Sequence, residues 1–171
     1  EGVETSLLIK EKKEETGGSV ILTAPDGGRT IMVHRGAASM LDPKDIPAPV
    51  LADAGWIHLS SIAGRQPALE KILRVVRSQN RRFSWNPGKA EIKLLVEQAL
   101  DLATLQGMLF LVNVEEWQAL STVQADLHQH FRQIVVTKGK EGGIVFQQGA
   151  EVYRYSTPAV EVLNETGAGD S

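Results

Sequence analysis

Four apolar runs recur at nearly equal intervals, beginning at Gly55 (G-W-I-H-L-S), Arg82 (R-F-S-W-N), Met108 (M-L-F-L-V-N) and Gln133 (Q-I-V-V-T). Each interval has room for one strand and one helix and little else. The gaps carry the matching pattern, with helices expected over 67–79, 90–105 and 115–131, the last broken near Ser121-Thr122. In the first of them Leu69, Ile72, Leu73 and Val76 return every three or four residues, the stripe of a helix lying on a sheet. A strand-helix unit repeating at this length needs crossover connections, which in parallel sheets are right-handed. The chain from 36 onward is therefore expected to be α/β with a mostly parallel sheet. Residues 143–147 and 151–155, joined around Gln148-Gly149-Ala150, read as a hairpin at its edge.

The first part of the chain reads differently. The runs 5–11 (T-S-L-L-I-K-E) and 19–24 (S-V-I-L-T-A) are short and β-type, with Gly17-Gly18 between them. Pro25-Asp26-Gly27-Gly28 is a turn signal, and 29–34 (R-T-I-M-V-H) reads as the returning strand. The expected organisation is a small antiparallel unit over 1–35 and an α/β core over 36–171. Read from its residues alone, the small unit is a surface β-sheet with no assigned role.

Composition bounds the function. A length of 171 residues suits one domain with a small appendage, and 42% hydrophobic with 23% charged residues is ordinary for a soluble globular protein. A net charge of -3 leaves no basic footprint for nucleic acid. The absence of cysteine excludes disulfides and thiol catalysis and agrees with a cytoplasmic setting. No apolar run approaches the roughly 20 residues that cross a bilayer, so no membrane partner is expected. There is no P-loop, no Gly-x-Ser-x-Gly elbow and no Gly-x-Gly-x-x-Gly after a strand. His34, His58, His128 and His130 lack metal-ligand spacing.

In open α/β sheets ligands bind beyond the carboxyl ends of the strands. Asn86, Asn113 and Thr137 are polar residues at three such ends. Asn86, followed by Pro87-Gly88, is either a plain strand-ending residue or a substrate- or phosphate-side contact. Asn113 with Glu116 reads as a capping box, a reading compatible with a role in the site. Near the end of the chain, Gly167-Ala168-Gly169-Asp170 lets successive N–H groups share a concavity able to hold phosphate oxygens. A helix starting there would add its dipole, and Asp170 would stand ready to take a proton from an attacking hydroxyl. The alternative is an ordinary glycine-rich turn ending in Asp.

Thr166-Gly167-Ala168-Gly169-Asp170 resembles the second signature of the ribokinase/PfkB family of sugar and nucleoside kinases. Three further stretches are similar to family elements in the family's order. Asn113-Val114-Glu115-Glu116 resembles its Asn-x-x-Glu element. The stretch Thr137-Lys138-Gly139-Lys140-Glu141-Gly142 resembles its Thr-x-Gly-x-x-Gly loop, and Arg35-Gly36-Ala37-Ala38 the Gly-Ala segment after the lid strands. The resemblance implies a ribokinase-like, three-layer α/β/α, Rossmann-like fold with a small antiparallel β lid. It implies ATP-dependent phosphoryl transfer to a hydroxyl of a sugar or nucleoside. Asp170 would be the base, with Gly167, Ala168 and Gly169 around the transferred phosphoryl. Thr137, Gly139, Gly142, Asn113 and Thr166 would contact the nucleotide, and Glu116 would help hold Mg2+. The lid strands would cover the substrate and build a homodimer.

Two departures bear on this. Asn164 stands where the family has Asp, and Glu165 where it has Thr. The family's Asp helps hold a monovalent cation, and an amide is a poorer ligand for a hard cation, so potassium activation is not expected. Family members also open with a strand bearing a substrate-binding Asp and a Gly-Gly pair, which this chain lacks. The chain is thus expected to be an internal fragment, inactive alone, from a kinase. The competing expectations are a regulatory member that binds without transfer, and an inactive dimerising scaffold.

Overall fold

The computed structural model describes residues 2, 4–9, 13–24, 29–103 and 105–158. Strands β1 (Thr16–Thr23) and β2 (Arg29–Gly36) pair antiparallel, from Thr16 against Gly36 to Thr23 against Arg29, as a separate two-stranded sheet. The run expected as a strand over 5–11 is not one where it is described. Its backbone bonds close locally instead, Leu8 N–H to the Thr5 carbonyl at 3.0 Å and Ser6 N–H to the Glu4 carboxylate at 2.6 Å. An apolar run becomes a strand only where a neighbour supplies the ladder.

The main sheet holds six strands in the order β3 (Trp56–Leu59), β4 (Arg82–Trp85), β5 (Gly107–Asn113), β6 (Phe131–Thr137), β7 (Gly143–Gln147) and β8 (Ala150–Tyr155). The first four run parallel, and β7 and β8 return antiparallel as the expected edge hairpin. Helix α1 (Ala48–Asp53) precedes β3. Helices α2 (Gln66–Ser78) and α3 (Lys89–Val96) connect β3 to β4 and β4 to β5, and α4 (Val114–Ala119) and α5 (Gln124–His130) connect β5 to β6. The expected mostly parallel sheet with a separate antiparallel pair is therefore present.

Helix α3 ends well short of 105. Gln98 takes a left-handed φ of 52°, Gln98 N–H bonds the Leu95 carbonyl and Ala99 N–H the Leu94 carbonyl, so the last turn closes on itself. The break expected near Ser121-Thr122 separates α4 from α5, where the Gln124 side-chain amide donates to the Trp117 carbonyl at 2.7 Å.

One buried cluster unites sheet and helices. Ile57, Leu59, Phe83, Trp85, Phe110, Val112, Ile134 and Val136 from the sheet meet Leu69, Leu73 and Val76 of α2, Ile92 and Leu95 of α3, and Leu127 of α5. Each such side chain contributes about 2 kcal/mol by leaving water. The opposite face carries Trp56 and His58, both exposed, whose Nε1 and Nδ1 lie 2.8 Å from the Ser84 hydroxyl. Among the described residues no helix is long and apolar enough to cross a membrane.

Candidate functional site

The carboxyl ends of β5 and β6 are in register, Asn113 beside Thr137. Two of the residues expected at the rim thus stand on adjacent strands, about 4.8 Å apart in the sheet. Asn113 is also the N-cap of α4. Its Oδ1 accepts from Glu116 N–H at 2.8 Å, and Glu116 Oε2 accepts from Asn113 N–H at 2.8 Å, a closed capping box. That box fixes the Glu116 carboxylate at the rim while using one of its two oxygens. A cleft of about 420 Å³ opens beside it, lined by Asn113, Glu115 and Glu116 from the α4 side and by Lys89 and Lys93 from α3.

Beyond Thr137 the chain makes a tight loop. Lys138 N–H donates to the Gly142 carbonyl at 2.7 Å, and Gly142 N–H to the Gly139 carbonyl at 3.0 Å. The two glycines differ in kind. Gly142 has φ 89°, its N–H is engaged inside the turn, and a Cβ there would lie 1.9 Å from the Tyr155 carbonyl oxygen. Gly139 has φ 57° at an exposed tip, with nothing within 4 Å of where a Cβ would stand. Of the pair, Gly139 is the one whose backbone a ligand can approach. Lys138 and Lys140 flank it with positive charge.

Asn86 lies one residue past β4. Its N–H bonds the Leu59 carbonyl and its Nδ2 the Leu111 carbonyl, each at 2.9 Å, so it ties the ends of β3, β4 and β5 together. Gly36 ends β2 with φ 48°, and a Cβ there would meet the Glu15 carbonyl at 2.3 Å, so a close crossing at the base of the small sheet requires this glycine. Thr166, Gly167, Ala168, Gly169 and Asp170 lie outside the described residues.

One rim residue escaped the sequence reading. Glu91, in the first turn of α3, is 0% exposed. Its Oε1 accepts from Ile62 N–H at 2.9 Å and Gly64 N–H at 2.7 Å, and its Oε2 from the Ser61 hydroxyl and Gly88 N–H, both at 2.9 Å. Burial pushes this carboxyl up, but the bonds from Gly64, Ser61 and Ile62 outweigh it and hold the group below its ordinary value. Its stabilising contribution is present above the ordinary carboxylate range and is lost as pH falls through the lowered value. The local signal was Glu three residues after a Pro87-Gly88 turn. The donors from 61–64 were beyond any local pattern.

The rim fits a nucleotide with magnesium in its donor chemistry. Among the described residues no group of three or more His, Asp or Glu side chains could hold a metal by itself. A cation at Glu116 would have one fixed carboxylate, with waters and phosphate oxygens filling the rest of its shell, the usual manner of Mg2+ beside nucleotides.

The chain belongs to the pfkB family of carbohydrate kinases, whose model matches residues 1–171. Among solved structures it is similar to ribokinase from Cryptococcus neoformans var. grubii serotype A in complex with ADP, at 24% identity and a TM-score of 0.75, covering 99% of this chain and 60% of that one. It is similar to the Methanocaldococcus jannaschii nucleoside kinase, at 20% identity and a TM-score of 0.72, covering 94% and 52%. Adenosine kinase from Sinorhizobium meliloti aligns at 22% identity and a TM-score of 0.66, covering 91% and 51%. These likenesses establish the ribokinase-like fold. The chain spans 51% to 60% of the length of these three structures. None of the curated proteins matches it.

Proposed function

We propose that the protein carrying this chain transfers the γ-phosphoryl group of ATP to a hydroxyl of a sugar or nucleoside in the cytoplasm. The observation that carries this reading is the family match over the whole chain, together with the pairing of Asn113 and Thr137 at one rim. Thr137 and Gly139 contact the nucleotide phosphates through a hydroxyl and an open backbone turn. Lys138 and Lys140 offset phosphate charge. The backbone of Thr166 to Asp170 receives the transferring group, whose charge spreads over its oxygens in the transition state. Asp170 takes the acceptor's proton as its oxygen attacks the γ-phosphorus, the bond to the β-phosphate oxygen breaks, and ADP leaves. Glu116 would help hold Mg2+, which would supply charge neutralisation on the phosphate oxygens. Residues 1–35 serve as the lid, 36–171 as the nucleotide-binding core, and a second copy covers the β1–β2 pair.

The test is ADP release with Mg-ATP across a panel of sugars, sugar phosphates and nucleosides, beside Asp170→Asn. Turnover with one acceptor, reduced ~10²-fold or more by the substitution, is the expected result. A variant within a few-fold of wild type sinks the assignment of the base. ATP binding without turnover on any acceptor favours a regulatory member, and directs attention to Asn164-Glu165, where the loop departs from the family pattern.

A further inference from the structure

The loops after β3 and β4 converge on one carboxylate. Glu91 receives Ile62 and Gly64 N–H and the Ser61 hydroxyl from the β3 loop, and Gly88 N–H from the β4 loop. The β3 loop is held in a conformation it would not adopt unaided: Ala63 has φ 58° and Gly64 φ 67°, and a Cβ on Gly64 would stand 2.7 Å from the Ala90 Cβ at the start of α3. The same loop reaches the segment leaving the small sheet. Arg65 follows Gly64 directly, and its Nε donates to the Leu41 carbonyl at 3.0 Å. On the other side Gly88 lies two residues beyond Asn86, which bonds both β3 and β5. Glu91 therefore joins the exit of the β1–β2 sheet, the β3 loop and the β4 end into one frame. That frame lies at the same rim as Asn113 and Thr137, on β3 and β4 where they stand on β5 and β6, and Lys89 and Lys93 of α3 line the cleft that adjoins Glu116.

We infer that Glu91 is a positioning residue for the phosphoryl acceptor: it sets the β3 loop, with exposed Ser60 and Ser61, as the wall against which the acceptor hydroxyl is presented. This rests on the phosphoryl-transfer reading above. A buried carboxylate that only stabilised the fold would have no reason to act on one substrate and not on the other. Removing its charge loosens the acceptor wall and leaves the nucleotide loop at 137–142 untouched, since no bond from Glu91 reaches it.

The experiment measures both Michaelis constants in the protein carrying this chain, for wild type, Glu91→Gln and Ser61→Ala. Gln keeps the volume but turns an amide donor toward Gly88 N–H, and Ser61→Ala removes one donor while leaving the backbone bonds. The expected result is a rise in KM for the acceptor of about tenfold in Glu91→Gln and about threefold in Ser61→Ala, with KM for ATP within twofold in both. An unchanged acceptor KM in folded Glu91→Gln overturns the inference, as does a parallel rise in both constants. Where Glu91→Gln does not fold, Glu91→Asp, which keeps the charge but shortens its reach to the β3 loop, decides by the same criteria. Wild-type turnover with flat variants refutes Glu91 alone. A wild type silent toward every acceptor refutes phosphoryl transfer and the acceptor role with it.

Discussion

A single methyl group at position 142 would stand 1.9 Å from the Tyr155 carbonyl oxygen on a backbone already at φ 89°. The neighbouring position 139 is as left-handed but open. The two glycines of one motif therefore separate in their consequences. Gly142→Ala is expected to lower stability by about 3 kcal/mol, because both the turn and the β8 end must shift. Gly139→Ala should cost about 1 kcal/mol in stability while weakening ATP binding. Urea unfolding beside an ATP titration reads both, and equal stability losses would refute the distinction. The residue scale also shows why some of the rim was legible and some was not. Asn113 and Glu116 form their box across three residues, so the string itself displays it. Glu91 shows locally only its Gly88 partner, three residues before it, while the donors Ile62 and Gly64 lie 29 and 27 positions earlier, beyond any local pattern.

At the scale of elements, the β1–β2 pair is unlike the rest. Val20 and Met32 face one another across the strands on one face, Ile21 and Ile31 on the other, and all are exposed, with Val33 at 57%. A two-stranded sheet with apolar residues on both faces is marginal alone and gains from being covered. If a second copy covers it, a charge on the buried face must separate the copies. Met32→Glu and Val33→Glu place that charge on opposite faces, since neighbours along a strand alternate. Sedimentation velocity should show one of the two monomeric at concentrations where wild type is dimeric. A monomeric wild type, or association unchanged in both variants, removes the dimer. The elements also mark the limits of pattern reading. Helix α2 and the edge hairpin stand nearly where periodicity put them. Helix α3 stops early because Gln98, without a glycine to announce it, adopts the left-handed cap. The run at 5–11 had strand composition but no described strand beside it.

Over the whole molecule, one core joins the six-stranded sheet to its helices, and no described side chain of β1 or β2 belongs to it. The two sheets should therefore open independently. Leu73→Ala, at a site only 1% exposed, is expected to cost about 3 kcal/mol and to raise hydrogen exchange throughout α2 and β3 to β6. Exchange in β1 and β2 should stay at its wild-type rate. A uniform change across both sheets would mean that they fold as one unit. The parallel sheet was legible from the spacing of its strands because each crossover leaves the same length of chain. The separate small sheet was legible as well, from the turn at 25–28 and the change of pattern after 35, but the exposure of its apolar residues on both faces was not, since composition cannot say which apolar residues find a partner.

That separateness shapes how such a chain can change over generations. Substitutions at the exposed apolar positions of β1 and β2, unlike those at Gly17 and Gly36, disturb no packed interior and so carry little penalty in foldability. The core tolerates few such changes. A lineage can thus redraw the exposed faces of its hairpin while inheriting the packed core and the rim at Asn113 and Thr137 unaltered.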